Sequence, residues 1–289
     1  MLVSTPAKVN LHLEVLRRRP DGYHDLETLM VAVGLYDTLE FKDDSTGGVR
    51  LSCDRPELAV GPENLICRAA ELLRRYVARN DKSHRGAAIR LWKRIPLAAG
   101  LAGGSSDAAA TLAGLNVLWR LGLPNEELAR LGAELGSDVS FFFAAPAAWC
   151  TGRGEIVRPL RLARPLHLVL TCPPVGLSTA EVFRNLTVPE QPLTGDAMCR
   201  AVEAGDVAEI GRRLHNRLQP VAERLCPAVA RLCERLTALK PAGVLMSGSG
   251  STVFALCRDA AEALWVSRGL LSGWEEGEKP RINSVRSCI

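Results

Sequence analysis

The chain has 289 residues, 47% of them hydrophobic and 24% charged, and a formal net charge of +4. These are the proportions of an ordinary globular protein, long enough for one large domain or two of average size. The charge is too small and too dispersed for a nucleic-acid surface, and the densest basic run, Arg17-Arg18-Arg19, has no aromatic residues interleaved with it. No apolar run reaches the ~20 residues of a membrane span. The first residues, Met1-Leu2-Val3-Ser4-Thr5-Pro6, lack the pattern of a leader, so a cytoplasmic location is expected. Nine cysteines are scattered without a Cys-x-x-Cys pair, which suits reduced thiols in core positions. The five histidines are dispersed as well, so a protein-only zinc site is not expected.

Residues 8–16 alternate as a strand, with Val9, Leu11, Leu13 and Val15 on one face and Lys8, Asn10, His12 and Glu14 on the other. A turn through Arg19-Pro20-Asp21-Gly22 delivers Tyr23 and His24 at its exit. Leu29 to Phe41 is strand-like, interrupted by Gly34. Asn64 caps a helix expected to run to about residue 79, and residues 80–87 are polar and loop-like. Ile89 to Ile95 alternates as a strand and leads into a glycine-rich run. The helix expected from Asp107 to Leu121 is almost wholly apolar and therefore buried, and Pro124 opens another that ends near Gly136.

Prolines at 159, 165, 173 and 174 surround a strand over 166–172 and mark a domain junction within about 150–165, which gives domains of 1–155 and 156–289. Helices follow at about 179–185, 196–217, 220–238 and 259–272, with short strands over 252–256 and 282–287. Strands and helices mixed without regular βαβ alternation indicate an α+β fold.

The chemistry concentrates in Pro96-Leu97-Ala98-Ala99-Gly100-Leu101-Ala102-Gly103-Gly104-Ser105-Ser106-Asp107. Glycines let backbone approach a ligand closely, and the helix that follows brings unpaired N–H groups and the positive end of its dipole to the same place. Ser105 and Ser106 can cap that helix or reach a phosphate oxygen or its metal. The run is not a Walker A loop, since no Gly-Lys-Ser/Thr follows. Taken alone it is equally a small-residue turn before a tightly packed helix.

Lys8 and Asn10 share a strand face, as a buried polar pocket would need, though an isolated lysine there commonly faces solvent. Asp138, in Gly136-Ser137-Asp138 ahead of three phenylalanines, either caps a helix or accepts a hydrogen bond from a substrate hydroxyl. Asp21-Gly22-Tyr23-His24 is a hairpin turn or a grip on a planar polar ring. Ser247-Gly248-Ser249-Gly250-Ser251 is a second backbone nest or a flexible turn.

In this order, Pro6-Ala7-Lys8-Val9-Asn10, Asp21-Gly22-Tyr23-His24, the 96–107 run, Gly136-Ser137-Asp138 and Gly248-Ser249-Gly250 resemble the GHMP small-molecule kinases over nearly the whole chain. The pairing of Pro-Ala-Lys-Val-Asn with Asp-Gly-Tyr-His resembles the branch whose substrate is a cytidyl diphosphate-linked methylerythritol. The resemblance implies two α+β domains with substrates in the cleft between them, ATP and Mg²⁺ as cofactors, and Pro96 to Ser106 as the loop around the ATP phosphates.

It further implies Asp138 as base toward the 2-hydroxyl of the methylerythritol moiety, Lys8 as its cationic partner, and Asn10 lining the same pocket. Tyr23 and His24 would hold the cytosine ring, with Thr179 nearby and Phe183 stacking opposite Tyr23, while Lys93 would lie near the substrate diphosphate. Ser105 or Ser106 would touch the metal. Ala98, Ala99 and Ala102 stand where many members have glycine, which is compatible with the loop if φ stays negative there, and Met30 stands where some relatives place an aromatic against the cytidine. The alternatives are another GHMP kinase, of mevalonate or homoserine type, and a non-catalytic nucleotide-binding protein on the same fold.

Overall fold

A computed structural model describes residues 1–78, 85–274 and 277–288. The chain divides into two compact units: Met1–Ala7, Leu35–Ile95 and Ala102–Phe143 form unit 1, and Lys8–Gly34, Pro96–Leu101 and Ala144–Ile289 form unit 2. Two strands are longer than their alternation indicated. These are β1 (Leu2–Arg18) and β2 (His24–Asp43), and each lends residues to both units.

In unit 1, β3 (Val49–Cys53) runs parallel to β4 (Ala87–Trp92), which pairs antiparallel with the end of β2, Thr38 opposite Trp92 and Asp43 opposite Ala87. Three helices, α1 (Leu65–Val77), α2 (Gly103–Leu118) and α3 (Asn125–Leu135), pack with these strands and are followed by a 3₁₀ turn, Ser140–Phe143. The core joins Leu39, Phe41, Ile89 and Leu91 from the strands to Ile66, Leu73, Leu112 and Leu115 from the helices.

Helix α1 starts where expected, because the Asn64 side chain accepts from Ile66 N at 2.9 Å and satisfies an amide left open at the helix end. Its expected extension to 79 and most of the 80–87 loop lie outside the described residues. Helix α2 begins at Gly103, four residues before the start expected from the apolar run, so the glycine and serine pairs form its first turn.

Unit 2 holds β5 (Ala147–Thr151), which pairs antiparallel with β2 over Thr28–Val31 and with β6 (Ile156–Pro159). A separate four-stranded antiparallel sheet contains β7 (His167–Cys172), β9 (Gly243–Met246), β10 (Val253–Cys257) and β11 (Arg281–Arg286) in the order β11-β7-β10-β9. A short strand, β8 (His215–Asn216), runs parallel to β1 at His12 and Leu13.

The helix expected over 196–217 is two helices, α5 (Asp196–Ala204) and α6 (Val207–Arg213). Gly205, at φ 71°, ends the first, and Asp206 caps the second by accepting from Glu209 N. The helix expected over 220–238 also divides, into α7 (Gln219–Leu225) and α8 (Pro227–Ala238). Pro227 has no N–H to continue the first helix and fits the opening turn of the second. Two helices complete the unit, α4 (Thr179–Arg184) and α9 (Ala260–Gly269). Val15, Val169, Val182, Leu232, Leu236 and Val253 share its core. The α+β reading holds, and among the described residues no helix is long and apolar enough to cross a membrane.

Candidate active site

The glycine run is shared: Pro96–Leu101 belongs to unit 2, and Ala102–Ser106, which contains the first turn of α2, to unit 1. In unit 2 the run is held by a second turn. Gly100 has φ +73°, and a Cβ built on it would stand 2.1 Å from Ser247 O, so only glycine fits. The Gly100 carbonyl accepts from Lys8 Nζ at 3.1 Å and from Ser247 Oγ at 3.0 Å. Thr252 N donates to Ala99 O, and Lys8 N to Leu101 O.

The 247–251 turn, open from sequence as nest or flexible link, is fixed: Asn216 Nδ2 donates to Met246 O and Gly248 O, both at 2.8 Å, while its Oδ1 accepts from Leu218 N. Ala98 and Ala102 depart from expectation. Their φ values are 49° and 53°, so each alanine takes the left-handed conformation at a cost of about 1–2 kcal/mol, and the run keeps a glycine-like path at both.

In unit 1 the two serines separate in role. Ser106 is fully buried, and its Oγ lies 2.5 Å from both Pro6 O and Thr5 Oγ1, so it ties the first turn of α2 to β1. Ser105 is only half-buried. Ala102 supplies no side-chain cap, which leaves the amides of Gly103, Gly104 and Ser105 without partners inside the helix, an anion-binding arrangement.

Asp138 is half-buried and sits in the turn between α3 and the 3₁₀ segment. A Cβ built on Gly136 would lie 3.9 Å from Ser105 Oγ, so this turn runs beside the start of α2. Lys8, the expected partner of Asp138, belongs to the other unit.

Lys93, expected near the substrate diphosphate, is enclosed within unit 1. It is 3% exposed, and its ammonium donates to Asp37 Oδ2 at 2.5 Å and Asp107 Oδ2 at 2.6 Å. Asp37 also accepts from Arg94 N and Ile95 N, whereas Asp107 Oδ1 is buried with no hydrogen-bond partner among the described residues. Burial raises the Asp107 carboxyl to about 7, with Lys93 opposing that shift and Asp37 reinforcing it. Burial works against the Lys93 ammonium, but the two carboxylates outweigh it and raise its pKa. Asp37 and Asp107 escaped the sequence reading; a lone carboxylate within an apolar strand or helix was the available signal, since it requires a buried cation.

In unit 2, the polar face of β1 is buried. Lys8 Nζ donates to Asn10 Oδ1 at 2.7 Å. Phe183 stacks on His24, with ring centroids 5.1 Å apart and planes 30° apart. Tyr23 is 56% exposed and lies beneath the Arg153 guanidinium, 5.1 Å from its ring centroid. Burial, and then the Arg18 charge, hold the His24 imidazole below its ordinary pKa. The neutral ring offers one donor and one acceptor. Thr179 is exposed, its hydroxyl 2.7 Å from Ser249 Oγ, so it joins α4 to the clamped turn. Met30 is buried.

Residues 64–145 match the family model of the GHMP kinases N terminal domain, and residues 198–270 that of the GHMP kinases C terminal domain. A 4-diphosphocytidyl-2-C-methyl-D-erythritol kinase of Shouchella clausii (strain KSM-K16) is 45% identical over 93% of this chain and 89% of its own. The protein of that name from Geobacillus sp. (strain WCH70) is 43% identical over 100% and 99%. A crystal structure of 4-(cytidine 5'-diphospho)-2C-methyl-D-erythritol kinase superposes with a TM-score of 0.80 at 34% identity and covers 100% of both chains. Homoserine kinase from Cytophaga hutchinsonii shares the fold, with a TM-score of 0.75 at 18% identity over 98% of this chain and 97% of that one.

Proposed function

Because the chain belongs to the 4-diphosphocytidyl-2-C-methyl-D-erythritol kinase family of GHMP kinases, we propose that it transfers the γ-phosphoryl group of ATP to the 2-hydroxyl of that cytidyl substrate, a step of the non-mevalonate route to isoprenoid precursors. The observation that carries the choice of substrate is the neutral His24 ring stacked on Phe183 beside an exposed Tyr23. A cytosine needs a donor and an acceptor at its polar edge and a ring against its face, whereas a small acid or amino acid gives no use for such a group.

Phosphoryl transfer asks the protein mainly for positioning and charge stabilisation. The open amides of Gly103, Gly104 and Ser105 supply both toward the phosphates of ATP. Among the described residues no three His, Cys, Asp or Glu side chains gather as a metal site, and the half-buried Ser105 is the serine whose hydroxyl is not committed to the fold. That scarcity fits Mg²⁺, which keeps several waters and is held largely by phosphate oxygens; bound there, it would neutralise phosphate charge.

Asp138 takes the proton of the 2-hydroxyl, and Lys8 stabilises the negative charge developing on that oxygen. The oxygen forms its bond to the γ-phosphorus as the bond to ADP breaks. Asn10 holds Lys8 in place and lines the acceptor pocket, while Thr179 closes the cytidine side. Lys93 stays behind the site as structural support.

The test is product formation from ATP, Mg²⁺ and the cytidyl substrate, with mevalonate and homoserine in parallel. Phosphorylation of the cytidyl substrate alone is expected. Asp138→Asn should lower kcat by about 10²–10⁴-fold with nucleotide binding retained, and Lys8→Ala should also cripple turnover. Turnover of mevalonate or homoserine instead would overturn the reading of Tyr23 and His24. Equal loss of turnover and nucleotide binding in Asp138→Asn would make that residue structural.

A further inference from the structure

Lys8 ends a chain of three short, buried hydrogen bonds. Its Nζ donates to Asn10 Oδ1 at 2.7 Å, Asn10 Nδ2 to Thr28 Oγ1 at 2.7 Å, and Thr28 Oγ1 to the His12 carbonyl at 2.7 Å. All of the side chains are nearly inaccessible, with Asn10 and Thr28 each at 1% and Lys8 at 3%. Strand β1 carries Lys8, Asn10 and His12 at alternate positions, and Thr28 stands on β2.

The direction of this chain is set at its far end. A carbonyl can only accept, so the Thr28 hydroxyl must spend its one proton on His12 O. Its oxygen is then left only to accept, and the group that can donate to it is the Asn10 NH₂. The Asn10 amide is thereby turned with its oxygen toward Lys8, where an ammonium, which has donors alone, requires an acceptor. The opposite amide orientation would set NH₂ against NH₃⁺ and face a second acceptor toward Thr28. Thr28 therefore decides which end of Asn10 the lysine meets.

We propose that Thr28 is a positioning residue for the phosphoryl transfer: it locks the Asn10 amide and through it aims the Lys8 ammonium at the reacting hydroxyl. This rests on the kinase reading above for its kinetic consequence, but the hydrogen-bond order it asserts stands apart from that reading. Valine in place of threonine keeps the branched shape and removes both halves of the relay. The Asn10 NH₂ then lacks a partner in a buried site, and nothing favours one amide orientation over the other.

The experiment compares Thr28→Val and Thr28→Ser with the parent enzyme, with Thr28→Ala in place of valine should that variant not fold. Steady-state kinetics with ATP, Mg²⁺ and the cytidyl substrate are measured beside the side-chain amide NMR signals of Asn10, which are assigned by their loss in Asn10→Ala. Loss of one such buried bond predicts a fall in kcat of about tenfold in Thr28→Val. Both KM values should stay within about twofold, and Thr28→Ser should recover most of the rate. The Asn10 amide protons should exchange slowly in the parent and in the serine variant, and lose that protection in the valine variant.

Unchanged kcat and unmoved Asn10 signals in Thr28→Val would overturn the proposal, as would a serine variant no faster than the valine one. A parent enzyme inactive on the cytidyl substrate would sink the functional reading instead, and the Asn10 signals would then judge the relay alone.

Discussion

Lys93→Met removes the one cation between two buried carboxylates while preserving the length and apolar stem of the side chain. Asp37 and Asp107 both hold an oxygen within 2.6 Å of the lost nitrogen, so the two oxygens lie no more than about 5 Å apart. At an effective dielectric constant near 20 their repulsion would reach about 3 kcal/mol. The general cost of breaking a buried ion pair, about 3–5 kcal/mol, agrees.

The penalty must depend on pH in a direction opposite to the usual carboxylate case. Asp107 is raised to about 7 in the folded chain by burial, so the folded state binds more protons than the unfolded state between about pH 4 and pH 7. Stability from that group is complete at the acid end of the window and is lost as pH rises through it. Without the ammonium, the Asp107 pKa rises further. Lys93→Met should therefore be destabilised by about 3–5 kcal/mol relative to the parent near pH 8, and by clearly less near pH 5.5, where Asp107 carries its proton. Urea unfolding at the two pH values, with kinetics in parallel, checks both. Unchanged stability with a raised KM for the cytidyl substrate alone would refute the reasoning and return Lys93 to the diphosphate.

Two further outcomes follow from the geometry. Gly100→Ala puts a methyl 2.1 Å from Ser247 O at φ +73°, so it must displace the 247–251 turn; nucleotide affinity and kcat should both fall at least tenfold, measured by calorimetry and steady-state assay, and wild-type affinity would show that the turn yields freely. Phe183→Ala removes the ring stacked on His24 and should raise KM for the cytidyl substrate by about five- to tenfold, from the ~1–1.5 kcal/mol of a lost ring contact, with KM for ATP unmoved. A change confined to ATP would put Phe183 outside the cytidine site.

What the residues disclose by themselves depends on range. The polar face of β1, the Asn64 cap and the Pro124 start of α3 are written in neighbouring residues, and each was legible. Strands β3, β5, β6 and β9 were not. β5 reads Ala-Ala-Trp-Cys-Thr and β9 reads Gly-Val-Leu-Met, neither with an alternation to betray it; β5 pairs with β2, distant in sequence, while β9 pairs with the nearby β10 across the 247–251 turn.

The same limit governs the site. The glycine run, Lys8 and Asn10 announce themselves locally. The resemblance placed Lys93 near the substrate diphosphate, and nothing local points to its carboxylate partners Asp37 and Asp107, 56 and 14 residues away. The φ values of Ala98 and Ala102 were misjudged because their left-handed turns follow from the path of the run, not from the preference of alanine. The His24–Phe183 stack joins residues 159 apart in number, across which sequence order says nothing about which ring meets which.

The Gly100 carbonyl has one further consequence. Oxygen offers two lone pairs, and here one is given to the Ser247 hydroxyl and the other to the Lys8 ammonium. The segment at the nucleotide loop and the charge assigned to the acceptor hydroxyl thus read the position of a single atom. Whatever shifts that atom changes the energy of both contacts, so the 247–251 turn and the Lys8 ammonium are tied to each other through one oxygen.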